Sequence, residues 1–143
     1  MTTTAYPLPH ITPEFLIERA KGYLPDFMGV VPVEIAEKRL VCRLDIQPHH
    51  TAPNGYLHAA SVIALADTTC GYATLAHLPD TGKNFTTIEL KSNHLGTARD
   101  GAIFATATAR HLGGMTHVWD AEVTAGETGK TIALFRCTQM ILK

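Results

Sequence analysis

The run "HAASVIALADTTCGYATLAHL", from His58 to about Leu78, constrains this chain more than any other stretch. It is too long for one strand, and Ala59, Ala60, Ala64, Leu65 and Ala66 favour a helix. Its residues are apolar or small nearly all round, the pattern of a helix enclosed by other structure. The remaining chain must therefore supply a surface that wraps a helix. Within the run sits one carboxylate, Asp67, which a buried helix tolerates only if the acid is partnered, neutral or facing an opening.

The flanking segments supply strands. "VVPVEIAEKRLVCRLDI" alternates around a polar "AEKR" connection, with Val31, Val33 and Ile35 on one side and then Leu40, Cys42 and Leu44 on one side of a second segment, as in a β-hairpin. After the long helix, four segments at roughly 85 to 96, 102 to 112, 115 to 125 and 131 to 142 are separated by "ARDG", "LGG" and "GETGK". These are turn sequences that predict antiparallel pairing. Near the start, Thr12 is placed to cap a helix, with Pro13 and Glu14 in its first turn and Phe15, Leu16 and Ile17 beginning an apolar face; Pro25 is expected to close it. The predicted order is helix, two strands, long helix, four strands: an α+β fold in which one curled antiparallel sheet of about six strands surrounds the long helix. At 143 residues this is a single domain, 1–143, with residues 1–11 expected as an extended N-terminal arm.

Charge narrows the partners. Twelve basic and thirteen acidic side chains leave no basic block for a nucleic-acid backbone. Low charge with 45% hydrophobic residues favours self-association. Cys42, Cys70 and Cys137 are odd in number and widely spaced, so neither a disulfide framework nor a metal site is expected. With no signal-peptide pattern and no apolar run of about 20 residues, the expectation is a cytoplasmic protein without a membrane span.

Two readings of Asp67 compete: a structural acid bonded to Thr68, a strand hydroxyl or backbone, and a general base whose pKa burial has lifted. Its relation to His58 favours the second in a particular form. Nine residues at ~100° each put the two side chains half a turn apart, and at ~1.5 Å rise they lie roughly 13 to 14 Å apart along the axis. They cannot form a dyad within one chain. They can serve one site from two chains, with the helix N-terminus of one subunit facing the mid-helix acid of its neighbour. That N-terminus follows the Pro/Gly/Asn loop "QPHHTAPNGY" and offers unsatisfied N–H groups to a developing oxyanion.

Gly55, two residues, His58, two small residues and then Asp67 in a "LADT" context resemble the hotdog-fold acyl-CoA thioesterases of the 4-hydroxybenzoyl-CoA and phenylacetate-pathway type. Their motif is Gly-x-x-His-Gly-Gly with a carboxylate nine residues after the histidine, and the resemblance covers about residues 13 to 142. It implies hydrolysis of an acyl-CoA to free acid and coenzyme A, with no metal or other cofactor and with dimers that build a homotetramer. It further implies that Asp67 is base or nucleophile, that Ala59 N–H is the oxyanion donor, and that His58 shapes the loop. The Gly-Gly pair is Ala59-Ala60 here. Where many members carry Gln or Asn six residues before the histidine, this chain has Ala52, and Asn54 is the nearest substitute. Gly55, Ala60 and Thr68 fall beside these positions, and Thr74 is two turns on from Asp67.

Further candidates follow from the same resemblance. Asn93, His94 and Leu95 lie on a strand expected to border the thioester or pantetheine. Lys91, Arg99, Arg110 and Arg136 are candidate partners for the coenzyme A phosphates, with Arg110 and Arg136 preferred because their sequence neighbours are largely uncharged. Trp119 and Phe135 are expected in the core or an interface, and Cys70 as a small buried residue. Two other functions stay open: an acyl-CoA binder or sensor without catalysis, and a hydratase or dehydratase using a loop histidine. For the latter His50 is the candidate, although it lies seventeen residues before Asp67 where that class has about fourteen; otherwise His50 is a surface loop histidine.

Overall fold

The long helix, α3 (Ala59–Ala76), lies against all six strands of one antiparallel sheet in a computed structural model that describes residues 3–143. Two short helices precede the sheet, α1 (Pro13–Ala20) and α2 (Leu24–Met28). The strands are β1 (Val30–Ala36), β2 (Arg39–Asp45), β3 (Asn84–His94), β4 (Ala102–Leu112), β5 (Thr116–Ala125) and β6 (Thr131–Leu142). Their spatial order is β1-β2-β4-β5-β6-β3, every pair antiparallel. The sheet curls around α3, and Leu65, Ala66, Cys70 and Ala73 meet Leu40, Cys42, Leu44, Ile103, Trp119, Val123 and Phe135 in one core.

Local signals read from the sequence hold with three corrections. Thr12 caps α1, its hydroxyl accepting the Phe15 N–H at 3.1 Å. Pro25, however, does not close that helix. α1 has already ended when the chain turns at Gly22 (φ +81°), and Pro25 sits in the first turn of α2, where its missing N–H costs nothing. On β1 the apolar side is reversed: Val30 and Pro32 point into the core, whereas Val31 and Val33 are exposed. β1 is an edge strand with a bulge between Pro32 and Glu34, so alternation alone could not tell which face the sheet would bury. Finally, "ARDG" is no hairpin turn. "LGG" and "GETGK" join neighbours, but the chain leaves β3 at one edge and crosses to β4, three places away in the sheet.

Residues 3–11 form an arm laid across the C-terminal end of α3: Leu8 N–H donates to Ala76 O at 2.8 Å and Tyr6 Oη to Leu78 O at 3.0 Å. Residues 1 and 2 of the expected arm lie outside the described residues. Among the described residues no helix is long and apolar enough to cross a membrane.

Enclosure of α3 is uneven, which corrects the expectation of a helix buried all round. From Thr69 to Ala76 every residue is buried. Toward the N-terminus, Ala59, Ala60, Ile63, Ala64, Asp67 and Thr68 form a stripe that is exposed or half-buried, because no strand lies beyond β3 to cover it. Asp67 stands on that stripe.

Candidate active site

The loop before α3 is built to hold the helix N-terminus at a fixed place. Gly55 turns it with φ +86°, its N–H donating to Ala52 O at 2.8 Å, while Ala52 N–H donates to Tyr56 O at 2.7 Å. Asn54 accepts the Tyr56 N–H on Oδ1 at 3.1 Å, the work of a turn residue. His50 ties this loop to the rest of the fold. Its Nδ1 accepts from Gln47 N–H at 2.9 Å and its Nε2 donates to Met28 O at 2.8 Å, while its carbonyl receives His58 N–H at 3.0 Å and the Ser61 hydroxyl at 2.8 Å. It is 1% exposed, so the expected surface histidine is a buried strut, and burial lowers its pKa. Both ring nitrogens are occupied, which leaves none for a dehydratase-type proton transfer. His50→Ala strands two backbone partners and opens a void; a loss of roughly 2–4 kcal/mol in urea unfolding is expected.

At the helix start, His58 is the N-cap, and its Nδ1 accepts the Ala60 N–H at 2.9 Å. That bond puts the neutral ring's hydrogen on Nε2. Ser61 and Val62 N–H groups reach the His58 carbonyl. Ala59 N–H meets no protein acceptor among the described residues, and Ala59 is exposed. One donor of the helix terminus therefore remains free for a ligand. The side chains of Ala59 and Ala60 face outward on the same open stripe, so the two extra methyl groups do not obstruct the fold itself.

Eight residues along, Asp67 is half-buried on the open stripe. Its Oδ1 accepts from the Thr87 hydroxyl of β3 at 3.1 Å, and Thr87 Oγ1 lies 2.8 Å from Gln139 Oε1 of β6. Burial raises the Asp67 pKa; Thr87 and Gln139 oppose that rise without cancelling it. The side chains of Thr68 and Thr74 do not join it: Thr74 Oγ1 donates to Cys70 O at 2.9 Å, and the Thr68 hydroxyl, beside Asp67 on the stripe, has no hydrogen-bond partner among the described residues. Cys70 is fully buried, its thiol pushed well above the usual range, chiefly by desolvation.

Thr87 and Gln139 were not singled out from the sequence. A signal for Gln139 existed: it is the one amide among the inward positions Ala133, Phe135, Cys137 and Ile141 of β6. Thr87 gave none, since its contact depends on a bulge between Thr87 and Glu89 that sets the β3 register.

The remaining candidates separate. Arg110 and Arg136 lie on the outer face of the sheet, away from Asp67, in a groove of about 550 Å³ that also takes in Lys91, Asn93 and Glu122. The reason for preferring them fails there. Asp120, opposite Arg136 on β5, accepts Arg136 Nε and Nη2 at 2.5 and 2.9 Å and approaches Arg110 Nε at 3.6 Å, so their cross-strand neighbour is an acid. Arg136 in turn lowers the Asp120 pKa. Arg99 is differently placed: its guanidinium lies 4.6 Å over the Tyr56 ring, beside the loop that leads to α3. Asn93, His94 and Leu95 are exposed at the end of β3, and Trp119 and Phe135 are core. Among the described residues no three His, Cys, Asp or Glu side chains gather as a metal site would need.

A helix enclosed by a curled six-stranded sheet, with a capped N-terminus and a mid-helix acid, defines the hotdog class, and the chain belongs to the thioesterase superfamily, whose family model matches residues 54–132. It is 29% identical over 120 residues to a 1,4-dihydroxy-2-naphthoyl-CoA hydrolase of Listeria monocytogenes, covering 84% of this chain and 96% of that one. In structure it is similar to the thioesterase PA1618 of Pseudomonas aeruginosa, with a TM-score of 0.89 and 26% identity over 97% of this chain and 99% of that one. It shares the fold of the Escherichia coli PaaI protein from the phenylacetic acid degradation operon, at a TM-score of 0.75, 24% identity and 83% coverage of each chain. The chain is a thioester hydrolase of this superfamily.

Proposed function

We propose that the substrate is an acyl-CoA, cleaved to free acid and coenzyme A at a site shared by two copies of the chain. The observation behind this reading is the open stripe of α3, which carries an unclaimed N–H at its start and, midway, a carboxylate with a raised pKa. In the regular helix these lie roughly 12 Å apart along the axis, too far for one thioester within one chain. The partner's helix start closes the gap. Ala59 N–H of one copy polarises the thioester oxygen, and Asp67 of the other activates water or attacks the carbonyl.

A second copy would dock at β3. This strand of eleven residues is an uncovered edge on which Ile88 and Leu90 are 52% and 40% exposed, and α3 leaves Ile63 and Ala64 half-buried. An apolar edge strand of this length calls for a partner. Pairing of such dimers into a tetramer is part of the proposal. Arg99 on its Tyr56 platform is the cation we assign to the coenzyme A phosphates, since Arg110 and Arg136 would have to leave Asp120 to serve. The scheme draws on a carboxylate and a backbone donor and calls for no metal or redox cofactor.

The test is a thiol-release assay on aliphatic, benzoyl and bicyclic aromatic acyl-CoAs. Turnover on at least one is expected, and saturable binding to all without release of thiol would replace hydrolysis with acyl-CoA binding. Because Asp67 must be ionised, kcat/KM should fall as pH drops through its raised pKa, so the acid limb should lie above the ordinary carboxylate range. A profile flat down to the ordinary range would remove Asp67 from the mechanism.

A further inference from the structure

Gln139 is fully buried and spends its amide on neither backbone nor water-facing surface. Its Oε1 lies 2.8 Å from Thr87 Oγ1, and its Nε2 donates to Cys137 Sγ at 3.3 Å. Thr87, its direct partner across the β3–β6 ladder, has one hydroxyl hydrogen and two oxygen neighbours, Asp67 Oδ1 and Gln139 Oε1. Both cannot receive that hydrogen at once.

The protonation of Asp67 resolves the conflict. With the acid neutral, its own hydrogen goes to Thr87 Oγ1, and the Thr87 hydroxyl donates onward to Gln139 Oε1. With the acid ionised, Thr87 must donate to the carboxylate, which leaves its lone pairs facing Gln139. A half-turn of the amide about its last bond then presents Nε2–H to Thr87 Oγ1, and the same half-turn offers Oε1 to the Cys137 S–H. Along the line from Asp67 through Thr87 to Gln139 a donor then meets an acceptor at each contact in both states. We propose that Thr87 and Gln139 are positioning residues for Asp67, forming a two-link relay in which the orientation of the buried Gln139 amide follows the protonation of the acid.

Other groups do not supply this role. On α3 the titratable neighbour is the Cys70 thiol, and on β6 it is Cys137, both buried. β5 contributes His117, opposite Gln139, buried and with its pKa lowered to about 4. Thr87 and Gln139 are the side chains whose hydrogen bonding favours the ionised form of Asp67 against its burial. The proposal rests on Asp67 as the group that works in hydrolysis, and it adds that the ionised form is aimed and sustained from two strands.

The experiment compares Thr87→Val, Thr87→Ser and Gln139→Met in the full chain, with two readouts: kcat/KM against pH, and the 13C titration of the Asp67 carboxyl carbon. In Thr87→Val and Gln139→Met the carboxyl midpoint should rise and the acid limb should move to higher pH with it. kcat should fall about ten- to a hundredfold in Thr87→Val, the worth of one hydrogen bond to a charged group. Thr87→Ser should restore both. A purely structural role would lower the melting temperature and leave the midpoint where it is; an unmoved midpoint in both apolar variants overturns the relay, whatever the activity. Asp67→Asn run alongside separates the two claims. If it keeps full turnover while the midpoints move, the catalytic assignment fails and the relay stands.

Discussion

Asp67→Asn should lower kcat for acyl-CoA hydrolysis by about 10²–10⁴-fold, the range for loss of a positioned general base or its equivalent. Asparagine keeps the shape and can still accept from Thr87, so the loss would report the carboxylate and not a collapsed helix. The same variant should be more stable than the wild type near neutral pH. The folded-state pKa of Asp67 is raised above its unfolded value, so the folded protein binds more protons between the two values. Stability from this group is therefore greatest below the unfolded pKa and declines as pH rises through the folded one. Asparagine removes the cost of ionising a half-buried acid, and its advantage in melting temperature should vanish once the pH falls below the ordinary carboxylate range. Full activity in Asp67→Asn would sink the mechanism; equal melting curves at neutral pH would contradict the burial argument alone.

Charging the β3 edge should have the next largest effect. In Ile88→Glu/Leu90→Glu both changes fall on exposed residues, so each copy should fold, but the edge could no longer meet its twin. Sedimentation equilibrium should show monomers. Hydrolysis should fall about 10²–10³-fold, because Asp67 would face no Ala59 N–H and a lost oxyanion donor is worth that much. A double variant that is monomeric and fully active would show that one chain holds the whole site. One that stays associated and active would place the interface elsewhere.

The long helix was legible because its signal is local and continuous: alanine content, length and an apolar circumference. Strand extents were legible for the same reason, with β4 at Ala102–Leu112 and β6 at Thr131–Leu142 where alternation and turn residues put them. Strand order was not, since β3 pairs with β6 and not with β4, a choice that depends on how the sheet closes around α3. The same gap misdirected the reading of Arg136: its sequence neighbours are uncharged, yet Asp120 sits opposite it in the ladder. His50 likewise resembled a surface loop histidine because one of its two ring partners, the Met28 carbonyl, lies 22 residues away, while Gln47 N–H is local.

By itself, then, the sequence determined a long helix, strands able to wrap it, a Gly-containing loop that ends at His58 and an acid nine residues later. These depend on backbone preference and hydrophobic period, which act over a few residues. Tertiary structure decided which side of α3 stays open, that the Ala59 N–H at the helix start meets no acceptor among the described residues, and that Thr87 and Gln139 converge on Asp67. Those outcomes depend on sheet register and on which edge lacks a neighbour, and both are set by contacts between residues far apart in the chain.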